Sequence, residues 1–312
     1  MSGPQSRPGE QPPATQPVAG QPRRSLRVRF PGGNGFELAG IIDLPAIAGS
    51  AASGTATDCP PRMLPTGMPL VIFSHCFTCN KDLKAVVRLS RALADAGIAV
   101  LRYDMTGLGG SDGDFSHTDF TSNLADLRAA LAWAAAELGP VTGLLGHSFG
   151  GAASLALGGD AASLPRSVAG IATLAAPSET KHLATLMLRM NAAIESAGHG
   201  EVEIGGRRWT IRREALADFR SHRLEEAISR IAVPLMLLHS PVDRTVGFDH
   251  ALRILQLASV RPDDDARPAV SLVALDGADH LLAENPADLR YVAEILAAFF
   301  WRHRSPGNAP AT

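Results

Sequence analysis

Cysteine is nearly absent: Cys59, Cys76 and Cys79 are the only three in 312 residues, an odd number and too few to staple a chain of this length. A disulfide framework is therefore excluded as the source of stability, and a reducing compartment suits the thiols. Long apolar runs free of charge are missing as well. Even the Ala-rich stretch near residue 130 is broken by Asp126, Arg128 and Glu137, so no membrane span is expected. The first two dozen residues hold no apolar core of the kind a secretory signal needs. Nor is there an excess of one charge, since 29 Lys and Arg stand against 31 Asp and Glu. Neither nucleic acid nor an anionic lipid surface would meet a positive field. The expectation from these absences is a cytoplasmic protein with neither of those partners.

What is present is apolar material, 46% of the chain, enough for one large core. Residues 1–24 are rich in Pro, Gln, Gly and Ser and read as a disordered tail, and residues 305–312 read as a second. Between them, residues 25–304 read as one domain. SLRVRF and FELAGIIDLP flank PGGNG as two strands around a turn, and residues 46–67 read as a loop. Short apolar runs suited to strands buried on both faces then alternate with helical patterns. PLVIFSH precedes a helix over residues 81–96, and IAVLRYD precedes a helix whose stripe is Phe120, Leu124, Leu127, Leu131 and Leu138. VTGLLGH, VAGIATLAA, VPLMLLHS and VSLVALDG supply further strands, with helices over residues 248–258 and 287–303. This alternation predicts an α/β fold with a mostly parallel sheet covered on both faces. It breaks between residues 177 and 231, where a helical stretch, a hairpin turning at Gly205-Gly206 and two short helices read as a cap inserted after the sixth strand.

Gly146-His147-Ser148-Phe149-Gly150 fits G-x-S-x-G, and it falls directly after the strand VTGLLGH and before the small-residue helix GAASLALG. A strand that turns sharply into a helix presents the serine hydroxyl at the helix N-terminus, where free N–H groups stabilise negative charge. Serine is a weak nucleophile and needs a base, which needs a partner to fix its tautomer. Asp243, beyond the strand ending near Leu238, and His280, beyond VSLVALD, fill those places. Their chain order of Ser, Asp, His is the one this architecture uses. The oxyanion donors would be the N–H of Phe149 and that of Phe77, in the loop Ser74-His75-Cys76-Phe77-Thr78-Cys79-Asn80.

Other polar residues read more plainly. His75 and His147 are expected to be structural or pocket-lining, and Asp104 to tie together the Gly-rich loop that follows it. Asp276 and Asp279 lie close to His280 in sequence, yet a separate loop serves a ring better than a near neighbour. The Gly-rich run is not a dinucleotide fingerprint, because no helix opens on it. Cys76 and Cys79 form a C-x-x-C, which leaves a thiol redox site as an alternative, although the loop's backbone would serve hydrolysis with the thiols as passengers. Only His75 stands by to complete a zinc site, so no metal or other cofactor is expected. Trp209 and Ile211 read as cap core.

With these segments in place, the chain resembles the α/β-hydrolase superfamily throughout residues 25–303. SHCFTCNKDLKAVVRLSRAL, AVLRYDMTGLGGSDGDF, GHSFGGAA, EVEIGGRRWTI, LLHSPVDRTVG and DGADHLL resemble, more narrowly, the hydrolase half of bifunctional proteins that join an α/β-hydrolase domain to an OsmC-like domain. The resemblance implies a triad of Ser148, Asp243 and His280 and places His75-Cys76-Phe77 at the oxyanion position. The sequence ends at Thr312 without the OsmC-like half, so no peroxidase activity is expected of it. The expected function is hydrolysis of an ester or thioester of a small-molecule acyl substrate through an acyl-enzyme. Peptidase or acyltransferase chemistry on the same triad, or a non-catalytic binding module on the same fold, are the alternatives.

Overall fold

The computed structural model describes residues 24–46, 63–259 and 268–304; the expectations for the tails and for most of the loop over 46–67 lie outside them. The opening hairpin is β1 (Arg24–Pro31) against β2 (Glu37–Leu44), antiparallel. Leu26, Val28 and Phe30 alternate with exposed residues, so one face of β1 enters the core. Arg24, assigned by composition to the tail, is instead the first residue of β1, because it pairs with Leu44.

The next strands are β3 (Leu70–Ser74), β4 (Ala99–Tyr103), β5 (Gly143–His147) and β6 (Gly170–Leu174), each buried along its whole length. Between them run α1 (Lys84–Asp95), α2 (Phe120–Glu137) and α3 (Phe149–Gly158). The predicted apolar stripe of α2, from Phe120 to Leu138, is buried at all five positions. Helix α1 begins three residues later than its periodicity predicts. Asn80 takes the N–H of Asp82 on its side chain at 2.9 Å and that of Leu83 on its carbonyl at 3.1 Å, which makes residues 80–83 a turn.

After β6 the chain builds the expected cap: α4 (Lys181–Met190), α5 (Ala193–Ala197), a separate antiparallel hairpin of β7 (His199–Ile204) and β8 (Arg207–Arg212), then α6 (Arg213–Ser221) and α7 (Leu224–Ser229). Gly205 and Gly206 both take positive φ at the hairpin turn, as a two-residue primed turn requires. The chain then returns through β9 (Leu235–His239), α8 (Phe248–Ser259), β10 (Val270–Ala274) and α9 (Pro286–Arg302).

Eight strands form one sheet in the order β1-β2-β4-β3-β5-β6-β9-β10, parallel from β4 onward. Alternation along the strands feeds two cores. Val71, Phe73, Val100 and Leu145 face α1 and α9, while Ile72, Leu101, Leu144 and Ile171 face α2, α3 and α8. Each such side chain, fully buried, contributes roughly 1.5–3 kcal/mol relative to exposure. Strand β3 lies between β4 and β5, and the chain leaves β3 and β5 toward opposite faces. That makes their carboxyl ends a switch point, where an open α/β sheet leaves a crevice. Among the described residues, no helix is long and apolar enough to cross a membrane.

Candidate active site

Ser148 stands at that crevice, between the last residue of β5 and the first of α3. Its φ of 52° and ψ of −114° are a strained combination for a residue with a side chain, and its N–H is held by Leu174 O on β6 at 2.8 Å. The flanking glycines are obligatory. A Cβ on Gly146 would stand 2.3 Å from Gly150 O, and one on Gly150 would stand 2.2 Å from Ser74 O. Phe149 opens α3, so its N–H is among the first donors of the helix, which have no carbonyl a turn earlier within it to bond.

The loop after β3 lies alongside, because Ser74 pairs with Gly146 across β3 and β5. Its rings close the space: Phe77 packs edge-on against Phe149 with centroids 5.3 Å apart and against Phe219 of the cap at 6.0 Å. Phe115 bridges Phe77 to Trp209, at 5.4 and 4.8 Å. Trp209 thus joins the cap to the base, and Ile211 is buried within the cap as expected. The two residues predicted to donate to an oxyanion are brought together.

Cys76 and Cys79, expected as free thiols, are joined in a disulfide. The physical reason is local: the N–H of Cys79 returns to Cys76 O at 3.2 Å, and the resulting turn brings the Cα atoms to 5.4 Å, within bonding range for cystine. Among the described residues, no group of three or more His, Cys, Asp and Glu side chains is arranged so that it could hold a metal ion.

His280 and Asp243 meet directly, with His280 Nδ1–H donating to Asp243 Oδ2 at 2.7 Å. The other carboxylate oxygen takes the N–H groups of Thr245 and Val246 at 2.8 and 3.0 Å. Burial alone would raise the Asp243 carboxyl, but the hydrogen bond and charge of His280 and those two N–H groups outweigh it, holding the group below the ordinary aspartate range. With Nδ1 committed as a donor, neutral His280 carries its lone pair on Nε2. Asp279 has other work. It accepts the N–H groups of Leu281, Ala283 and Glu284 and so shapes the His280 loop.

The remaining predicted polar residues have structural roles. His75 is buried, donates from Nδ1 to Cys76 O at 2.8 Å and accepts the N–H of Met105 at 3.3 Å. Burial pushes its imidazole down and keeps it neutral. His147 is buried and pushed down to about 3 by burial and by its neighbour His280; it donates from Nε2 to His280 O at 2.8 Å. Asp104 ties its Gly-rich loop as expected, taking Gly110 N–H at 2.7 Å, and it also pairs with the Lys81 ammonium at 2.8 Å.

One supporting residue is not legible from sequence reasoning. His239, at the end of β9, is buried, donates to Val246 O at 2.8 Å and lies 3.7 Å from Asp243 Oδ2. Its spacing of four residues before Asp243 is the signal that could have found it.

The model of the Alpha/beta hydrolase family matches residues 67–290. Among solved structures, the esterase domain of a Rhodothermus marinus protein is 35% identical, covering 90% of this chain and 100% of that one with a TM-score of 0.64. Est1E from Butyrivibrio proteoclasticus is 17% identical, covering 89% and 98%, with a TM-score of 0.65. A putative hydrolase from Agrobacterium vitis S4 is 20% identical, covering 89% and 99%, with a TM-score of 0.65. These last two share the fold. No curated protein sequence matches the chain.

Proposed function

The chain belongs to the alpha/beta hydrolase family, and from that premise we propose that it is a serine hydrolase cleaving carboxylic ester or thioester bonds of small-molecule acyl substrates. The observation that carries the reading is the 2.7 Å bond from His280 Nδ1 to Asp243 Oδ2, in a loop that His147 fastens beside Ser148. The 35% identity to an esterase domain supports the ester as the bond attacked. The motif likeness to hydrolases joined to OsmC-like domains supports Ser148, Asp243 and His280 as the triad.

In this reading Ser148 Oγ attacks the carbonyl carbon and His280 Nε2 takes its proton. The N–H groups of Phe77 and Phe149 hold the oxygen as it becomes negative. Asp243 stays ionised and steadies the imidazolium. His280 then passes the proton to the departing alcohol or thiol, leaving an acyl group on Ser148. A water deprotonated by the same Nε2 releases the acid and restores the serine.

Labelling by a fluorophosphonate probe, with turnover of p-nitrophenyl esters of graded acyl length, tests this directly. The native chain is expected to label and to turn over, and Ser148→Ala to do neither. Equal labelling of both proteins would overturn the assignment.

A further inference from the structure

Ester hydrolysis through Ser148 does not require a disulfide in the oxyanion loop, yet Cys76 and Cys79 are bonded there and enclose Phe77 and Thr78 between them. We propose that this cystine is a redox modification site: a dithiol reductant opens it and thereby lowers turnover at Ser148. The proposal rests on the serine-hydrolase reading given above.

A cross-link that closes so short a loop restrains the unfolded chain least, so its main effect is local. What it restrains is the backbone around the proposed oxyanion donor. Thr78, next to Phe77, has a φ of 59°, in the left-handed region that a β-branched side chain seldom enters. The ends of the loop have independent anchors. On one side, His75 donates to Cys76 O and accepts from Met105. On the other, Lys81 gives its backbone N–H to Asp104 Oδ1 at 2.6 Å and its ammonium to Asp104 Oδ2 at 2.8 Å. Opening the cystine therefore leaves both ends seated. The residues between them keep one turn bond, from Cys79 N–H to Cys76 O, the local bond from the Thr78 hydroxyl to Phe77 O, and the packing of the Phe77 ring. Thr78 is then free to leave the left-handed region, and the Phe77 N–H turns away from the place where the oxyanion forms.

The two sulfurs differ in access. Cys76 is 4% exposed, whereas Cys79 is half-buried, so an incoming thiolate meets the Cys79 sulfur. Attack there forms a mixed disulfide and expels the Cys76 thiolate, which takes a proton from solvent. The second thiol of the reductant, as its thiolate, then displaces Cys79. The reductant leaves as a cyclic disulfide, oxidised by two electrons, and both cysteines end as thiols.

The test uses the full chain carrying Cys59→Ser, so that only this pair responds, assayed with p-nitrophenyl acetate before and after dithiothreitol. Thiol titration is expected to rise from zero to two per chain while kcat falls roughly 100- to 1000-fold, the range for a lost oxyanion donor, and to return on reoxidation. The further variant Cys76→Ser with Cys79→Ser is expected to stay at the low rate under both conditions. Two titrated thiols with unchanged kcat would overturn the switch, as would a cystine that yields no thiols in the native protein. Oxidised protein that neither labels with a fluorophosphonate nor turns over would instead overturn the serine-hydrolase reading, and the switch with it.

Discussion

His147 donates its Nε2–H to the backbone carbonyl of His280 at 2.8 Å, so the residue before Ser148 fastens the loop that carries the proposed base. The two rings lie 5.1 Å apart, and His147 Nδ1 is buried without a partner. His147→Ala is expected to lower kcat about tenfold with KM little changed, because a base displaced by a fraction of an ångström is a poor base. His147→Gln keeps a donor near the same position and is expected to retain most of the rate. Steady-state kinetics on p-nitrophenyl acetate decide it; a fall in thermal midpoint with kcat intact in both variants would reduce His147 to a packing residue.

Two aspartates near His280 should separate cleanly. Asp243→Asn is expected to lower kcat by roughly four orders of magnitude, the size of effect seen when a triad loses the group that fixes its tautomer. Asp279→Asn disturbs only hydrogen bonds to the loop backbone, so turnover should stay within about threefold while unfolding free energy falls by about 1 kcal/mol. Urea titration alongside the kinetics measures both; a larger kinetic loss in Asp279→Asn would reverse the assignment.

Buried neutral histidines shape the acid side of stability. His147 is held down to about 3, against about 6.5 in an unfolded chain. Between those values the unfolded state binds a proton that the folded state does not, so stability rises with pH and is lost as pH falls below about 6.5. The contribution is about 1.4 kcal/mol per pH unit within that window. His75, also pushed down by burial, acts in the same sense. Urea midpoints measured from pH 7 to pH 5 should decline, and His147→Gln should make the decline shallower by about one proton; an unchanged slope would count against the buried neutral ring.

Asp218 joins the cap to the base. From α6 it accepts the N–H groups of Phe120 and Thr121 at the start of α2, at 2.8 and 3.2 Å, and the Thr121 hydroxyl at 2.6 Å. It thus caps a helix in another part of the fold. Asp218→Ala is expected to cost about 1 kcal/mol of stability and to raise KM several-fold with kcat nearly kept, since the cap would lie less firmly over the crevice. Thermal melts and Michaelis kinetics test the pair of effects together; an unchanged KM would uncouple Asp218 from the placement of the cap.

Much of this was legible because chemistry and backbone geometry coincide in short stretches. Ser148 is readable from five residues, since the turn that strains it demands glycine at Gly146 and Gly150. The central strands are readable because burial on both faces leaves uninterrupted apolar runs. Contacts between distant segments left no local trace. IAVLRYD reads as an apolar strand, yet its Arg102 is buried and pairs with Asp43 of β2 at 2.8 Å. Competition between Asp243 and Asp279 for His280 is settled by which loop faces the ring. The pairing of Cys76 with Cys79 depends on a turn that composition does not reveal.

The cap leaves the base after β6 and rejoins it at β9, and those two strands are neighbours in the sheet. Its entry and exit therefore lie side by side, and the whole excursion could be shortened to a single crossover helix without changing the order of any strand. One insertion could thus be exchanged for another with Ser148, Asp243 and His280 left on their own strand ends outside it.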